Sequence, residues 1–281
     1  MLKPFQELAT PRHILQDSQP DDNSNPLLEK PTVLPTITLE HHHPHDNSNY
    51  FLVIPEVLSV LTESIFELKG ISIKRISTIK VTYPDTNDSD NDTLDFDEAT
   101  QLYNVKDNYI LEQDLKDIPV YCLKTPSCKV DFVTIPSFRN KIIYNLLANT
   151  ILSSYDVHRL ITFGTCELCE EETVRKLISK DYHDSPTVLH KISDMVPPNI
   201  VTGIAGSFSS RAALVNIPFA TIGVDAEGAF SLDMEKLNLD AVSTVAPVLN
   251  EMFNIDSTGQ FLKFIESKLD LKRASNGGLY M

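Results

Sequence analysis

The chain has 281 residues, 42% of them hydrophobic and 22% charged, with a formal net charge of −15. That is apolar material enough for a sizeable core in one large domain or two small ones. The negative balance argues against nucleic acid or an anionic membrane as a direct partner, and its natural counterpart is a basic protein surface.

Residues 1–48 read as an extended or disordered segment. Prolines 4, 11, 20, 26, 31, 35 and 44 recur through it, with a polar run at residues 21–25 and His41-His42-His43-Pro44-His45 near its end. The histidines have no cysteine or carboxylate at ligand spacing beside them, so a solvated tract is the reading, with no metal. Met1-Leu2-Lys3-Pro4 carries no apolar signal core, and no apolar run in the chain approaches the length of a bilayer span. Four cysteines (Cys122, Cys128, Cys166, Cys169) without an export signal predict reduced thiols in the cytosol or nucleus.

From residue 49 to 271 the pattern is that of a single α/β domain. Tyr50-Phe51-Leu52-Val53-Ile54 is a continuous apolar run closed by Pro55, the signature of a buried strand. A short helix is predicted over 56–68 and a half-exposed strand over 71–81. Residues 84–100 read as an acidic disordered insertion. Seven acidic residues fall between 84 and 98, but the glycine and closing glutamate of a calcium loop are missing. Segments 105–111, 118–124 and 129–135 suggest an antiparallel meander. A helix from 137 to about 153 follows, then a strand over 157–163. Strand, helix and strand in that order predict a crossover with parallel strands, hence a mixed sheet.

Residues 167–179 are expected to be partly helical and 181–198 to be loop. A helix over 200–215 would show Ile204, Phe208, Ala212 and Val215 on one face, with Gly203 and Gly206 permitting close backbone approach. The last strand is expected at 217–224. A helix over 237–253 with Pro247 inside follows, then a final helix capped by Asp256-Ser257-Thr258 and ending near Leu271.

Three places could carry chemistry. Cys166-Glu167-Leu168-Cys169 has the spacing of a redox pair or half a zinc site, but Glu and Leu separate the thiols and Glu170, Glu171 and Glu172 would raise their pKa. Zinc would further need Cys122 and Cys128 to converge on the pair. Structural cysteines are the simpler reading. Gly203-Ile204-Ala205-Gly206-Ser207 could bare backbone N–H groups to a phosphate, yet it lacks a P-loop lysine and a third glycine, and close helix packing explains it as well. Asp225 and Glu227 would sit in a loop after the last strand, without a visible partner for acid–base work. No catalytic set and no cofactor is predicted.

Residues 272–281 read as a flexible tail. Gly277 and Gly278 loosen the backbone, Leu279 offers apolar area, Tyr280 a ring and hydroxyl, and Met281, read as a terminus, a carboxylate. Such a segment can enter a pocket that supplies a cation. Fully extended, ten residues span at most about 33–36 Å.

Taken whole, the layout resembles the proteasome assembly chaperones, most closely the fungal first subunit of the paired α-ring chaperone. The residues that carry the likeness are Met1-Leu2, Pro11-Arg12-His13-Ile14-Leu15, the segment from Pro197-Pro198-Asn199 through Gly206-Ser207, and Gly278-Leu279-Tyr280-Met281. The resemblance implies a nucleoside-phosphorylase-like α/β body without enzymatic activity, and a heterodimer with a second chaperone subunit. It also implies a cap on the 20S α ring, with Leu279, Tyr280 and Met281 in a pocket between α subunits, favouring ring assembly and blocking early activator docking. Two other readings stand beside it: a small-molecule enzyme of phosphorylase-like fold using residues 203–207, and a thiol oxidoreductase using Cys166 and Cys169.

Overall fold

Strand β2 (Tyr50–Pro55) lies at the centre of the molecule because both of its faces are apolar. Phe51 and Val53 point into one core, Leu52 and Ile54 into the other, all at 2% exposure or less. The structure, a computed structural model, describes residues 34–42, 48–83, 115–138, 140–168, 172–182, 186–227 and 236–277. The chain divides into Met1–Leu34 and a larger unit, Pro35–Met281, and every element below belongs to the second.

Among the described residues nine strands form the sheet. Besides β2 they are β1 (Thr36–His41), β3 (Ser72–Thr82), β4 (Asp117–Lys124), β5 (Lys129–Ile135), β6 (Leu160–Cys166), β7 (Val174–Ile178), β8 (Phe219–Glu227) and β9 (Lys236–Leu237). The order is β1-β3-β4-β5-β2-β6-β8-β7, with β9 paired to β8. Strands β5, β2, β6 and β8 are mutually parallel, and the remaining pairings are antiparallel. This is the mixed α/β sheet that the sequence predicts, and the parallel β5 and β6 flank β2 as the crossover requires.

Among the described residues five α-helices cover the two faces. Helix α1 (Ser59–Phe66), helix α4 (Leu239–Phe253) and helix α5 (Gln260–Gly277) bury Leu61, Ile65, Val245, Leu249, Phe261, Ile265 and Leu269 against the Leu52 side. Helices α2 (Ile142–Ser154) and α3 (Gly203–Leu214) bury Ile143, Leu147, Ile151, Phe208 and Ala212 against the Phe51 side. Each set repeats at three or four residues, the spacing that aligns apolar side chains along one helix face.

Several expectations are corrected. The body begins at Pro35 rather than 49, because Ile37 and Leu39 alternate with polar residues and pair with Val81 and Ile79 of β3. Residues 174–178 form a strand, not part of a helix. They pair with β8 from Val174↔Val224 to Ile178↔Ala220, and that long-range partner overrides local propensity. Strand β8 is not the last, since β9 folds back on it. Helices α2 and α3 start later than expected, at Ile142 and Gly203, and β6 starts at Leu160. Val215, expected on the apolar face of α3, is 39% exposed. Helix α5 continues past Leu271 to Gly277, where a tail was expected from 272. Segments 84–100 and 105–111 lie outside the described residues.

The outer side of β7 is occupied. Lys176 N donates to Ser193 O at 2.9 Å, and Met195 N donates to Lys176 O at 2.6 Å. The buried Lys176 ammonium donates to the carbonyls of Leu189 (2.8 Å) and Ile192 (2.6 Å) and lies 3.4 Å from Asp194 Oδ1.

Candidate functional site

A small cavity opens where β2 and β6 end and α3 begins. Sheet order branches here, with β5 on one side of β2 and β6 on the other, the place where open α/β sheets commonly bind ligands. Pro55, Gly164, Thr165 and residues 202–205 line it, with Lys141 and Tyr144 from the start of α2. Lys141 Nζ lies 5.3 Å from the Tyr144 ring centre, and the Tyr144 hydroxyl accepts from Phe138 N at 3.1 Å. Lys141 and Tyr144 escaped the sequence reading because they come from a helix some sixty residues before α3; only the fold brings them together.

The volume of this cavity is about 50 Å³. Small-molecule sites usually run to about 300–1,000 Å³. The glycines around it serve packing. A Cβ on Gly206 would lie 2.8 Å from Val201 O, and one on Gly164 would collide with the Ala205 Cβ. Gly203 has a φ of +59°, which an L side chain adopts with strain. Close approach of α3 to β6 is made by Ala205 against Gly164, while Gly206 clears the Val201 carbonyl and Gly203 supplies the positive φ; each glycine thus has a structural reason, and the phosphate reading loses its main support.

The cysteines are separated by the sheet. Cys122 is buried in the Phe51-side core, whereas Cys128 packs against the Leu52-side core, so these two do not meet on one metal. Among the described residues no group of three His, Cys, Asp or Glu is placed to hold a metal ion. Cys166 is buried at the end of β6. Burial and, next, the Asp225 carboxylate push its thiol up to about 11. Burial, then Asp131, push the Cys122 thiol to about 12. Both shifts oppose the thiolate that redox chemistry needs. Cys169 lies outside the described residues.

Asp225 is a structural latch within β8, not a loop acid. Its Oδ1 accepts from Leu168 N at 3.1 Å and its Oδ2 from Asn238 Nδ2 at 2.9 Å. Asn238 in turn caps α4, its Oδ1 accepting from Asp240 N and Ala241 N at 3.0 and 3.3 Å.

The second candidate is the C-terminal segment. Gly277 is the last residue of α5, while Gly278, Leu279, Tyr280 and Met281 lie outside the described residues. Helix α5 is held firmly to the body. Phe261, Ile265 and Leu269 are almost fully buried along one face. Lys268 Nζ reaches Glu63 Oε2 of α1 at 3.4 Å and Glu67 Oε1, just after α1, at 2.8 Å, and Arg273 reaches Asp240 Oδ1 of α4 at 2.7 Å.

This α/β/α body is shared with archaeal proteins. Pyrococcus furiosus PbaB, an archaeal proteasome activator, is similar with a TM-score of 0.53 and 14% identity, covering 86% of this chain and 98% of its own. Pyrococcus furiosus PbaA, an archaeal homolog of proteasome-assembly chaperone, gives 0.52 and 12%, covering 86% and 92%. A Corynebacterium glutamicum protein of unknown function gives 0.50 and 7%, covering 86% and 90%. At these identities the likeness establishes the fold. No curated protein sequence matches the chain. The POC1 chaperone family model matches residues 1–281, from one end to the other. The chain belongs to the POC1 chaperone family, among the proteasome assembly chaperones.

Proposed function

We propose that the protein is one subunit of a heterodimeric chaperone that binds α subunits of the 20S proteasome and promotes assembly of their ring. The observation that carries this reading is the family match over residues 1–281, which takes in Leu279-Tyr280-Met281. Leu279 and Tyr280 fill an apolar pocket between neighbouring α subunits, and the Met281 carboxylate pairs with a cation at its edge. A single aromatic anchor contributes about 2 kcal/mol or more. The segment alone therefore binds weakly, and a body contact raises its effective concentration, with a gain in avidity of about 10²–10⁴-fold. Occupying that pocket blocks early docking of an activator. The net charge of −15 suits a basic ring surface, and the work is done in the cytosol or nucleus without enzymatic activity.

The test is affinity purification of the full chain with its partner subunit, against a chain lacking residues 279–281 and one extended by a residue after Met281. Recovery of α subunits is expected with the first and sharply less with the other two. Equal recovery from all three removes tail docking from the proposal.

A further inference from the structure

Strand β1 is a border of the main sheet whose outer backbone meets no other strand among the described residues. It pairs with β3 from Thr36↔Thr82 to His41↔Ser77. His42 N donates to Ile76 O at 2.8 Å, so the even-numbered residues of β1 turn their backbone groups toward β3. Val81, opposite Ile37, donates its N–H the other way, to Lys116 O at 3.3 Å, which fixes the same phase. By alternation Ile37, Leu39 and His41 point their N–H and C=O groups outward. The side chains of Ile37 and Leu39 are half-buried against the Phe51-side core, while Thr36, Thr38 and Glu40 are exposed. Lys80 Nζ bridges Glu40 Oε1 at 2.8 Å.

We propose that β1 pairs antiparallel with β1 of a second copy of this chain, joining the two sheets about a two-fold axis at Leu39. The inference goes beyond the chaperone reading and does not depend on it. The occupant follows from self-complementarity, since a two-fold contact sets one surface against itself. With Leu39 on the axis, Leu39 exchanges bonds with Leu39 of the second copy, and Ile37 with its His41. That makes about six main-chain hydrogen bonds and uses every outward group of the three residues. Thr38 then lies opposite Glu40, so no like charges face each other. Ile37 and Leu39 carry the Phe51-side apolar layer across the join. The neighbouring registers are worse. Centring on Thr38 sets His41 opposite Pro35, which has no N–H. Centring on Glu40 sets that carboxylate against its own copy. An isologous pair is closed and stops at two chains. The contact is one strand wide, well short of the roughly 1,600 Å² of a standard interface, so the pair forms in a concentration-dependent way.

The full chain is followed by sedimentation from about 1 to 100 µM, the range of a weak contact. A shift from the mass of one chain to that of two is expected. His41→Pro removes an outward N–H and sets its ring against the facing strand, while the bonds to β3 remain. It should lower the association constant at least tenfold with an unchanged circular dichroism spectrum. Register is read by mixing a Thr38→Cys chain with a Glu40→Cys chain under mild oxidation. Residues opposite each other in a non-hydrogen-bonded pair lie about 4.5 Å apart at Cα, within reach of a disulfide. The mixture should form the 38–40 cross-link, mapped by mass spectrometry, faster than either chain alone joins to itself. A single-chain mass over the whole range, a His41→Pro chain that pairs like wild type, or no excess of the mixed cross-link each overturns the proposal. So does loss of the cross-link when the second chaperone subunit is added and takes β1 in place of the copy.

Discussion

Gly164 of β6 faces Ala205 of α3 with no room for a side chain between them, since a Cβ on Gly164 would overlap the Ala205 Cβ. That contact seats α3 on the parallel part of the sheet and keeps the neighbouring cavity small. Gly164→Ala is expected to push α3 outward and to cost about 1–3 kcal/mol, as overpacking of a tight core does. Urea unfolding of the variant checks this, and an unchanged midpoint would show that α3 yields freely.

Asp225 joins three segments through one carboxylate: the backbone of Leu168, the Asn238 side chain and, through Asn238, the first turn of α4. Asp225→Ala leaves two donors without this acceptor, and a loss of about 1–3 kcal/mol is expected. Asp225→Asn keeps one acceptor oxygen and should cost less. Denaturant titration of the pair of variants measures the difference.

Asp256 controls the start of α5. Its carboxyl is held down to about 2. Burial pulls it upward, but the hydrogen bonds from the Thr258 side chain and from the backbones of Phe261, Thr258 and Gln260 outweigh it. Oδ2 accepts from Phe261 N at 2.9 Å. The folded value lies below the ordinary carboxylate value of about 3.9, so the unfolded chain binds the extra proton. Stability from this group is complete above about pH 5 and declines as the pH falls through about 4 toward 2. Asp256→Ala should cost about 1 kcal/mol at neutral pH, the typical worth of a helix cap. The gap between wild type and variant in urea midpoints should be constant at neutral pH and shrink on acidification.

Thiol reactivity should follow burial. At pH 8 a thiol of pKa 11 is ionised in only about one molecule in a thousand. Cys122 and Cys166, at about 12 and 11, should resist iodoacetamide in the folded protein, whereas the half-buried Cys128 should react. Site-resolved mass spectrometry of the alkylated chain reads each thiol separately. Fast labelling of Cys166 would reopen the redox reading.

Elements with a strong local signature were legible. The double-sided apolar run Tyr50 to Pro55 is β2, Pro247 sits inside α4, and Asp256 caps α5, all as their residue patterns require. What stayed hidden depended on partners far away in sequence. Val174 to Ile178 become a strand because β8 offers an unpaired side, and Ile37 and Leu39 become one because β3 does. The end of α5 was missed because residues 272–277 are polar and carry no apolar stripe of their own. Their helix continues the one nucleated and anchored upstream. Asp225 looked like a free acid because its donors, Leu168 and Asn238, come from other segments.

The lysine wedge beneath β7 has a consequence for how this molecule can meet a neighbour. Ser193 and Met195 already take up the outward backbone groups of Lys176, and its ammonium pins the covering loop in place. That border is closed to strand addition, which protects it from uncontrolled polymerisation. Among the described residues the opposite border, Thr36–His41, has a backbone partner on one side alone. Among the described residues this border of the main sheet is therefore the one that offers a whole strand's outer backbone groups to a neighbouring strand, while helices cover the two faces.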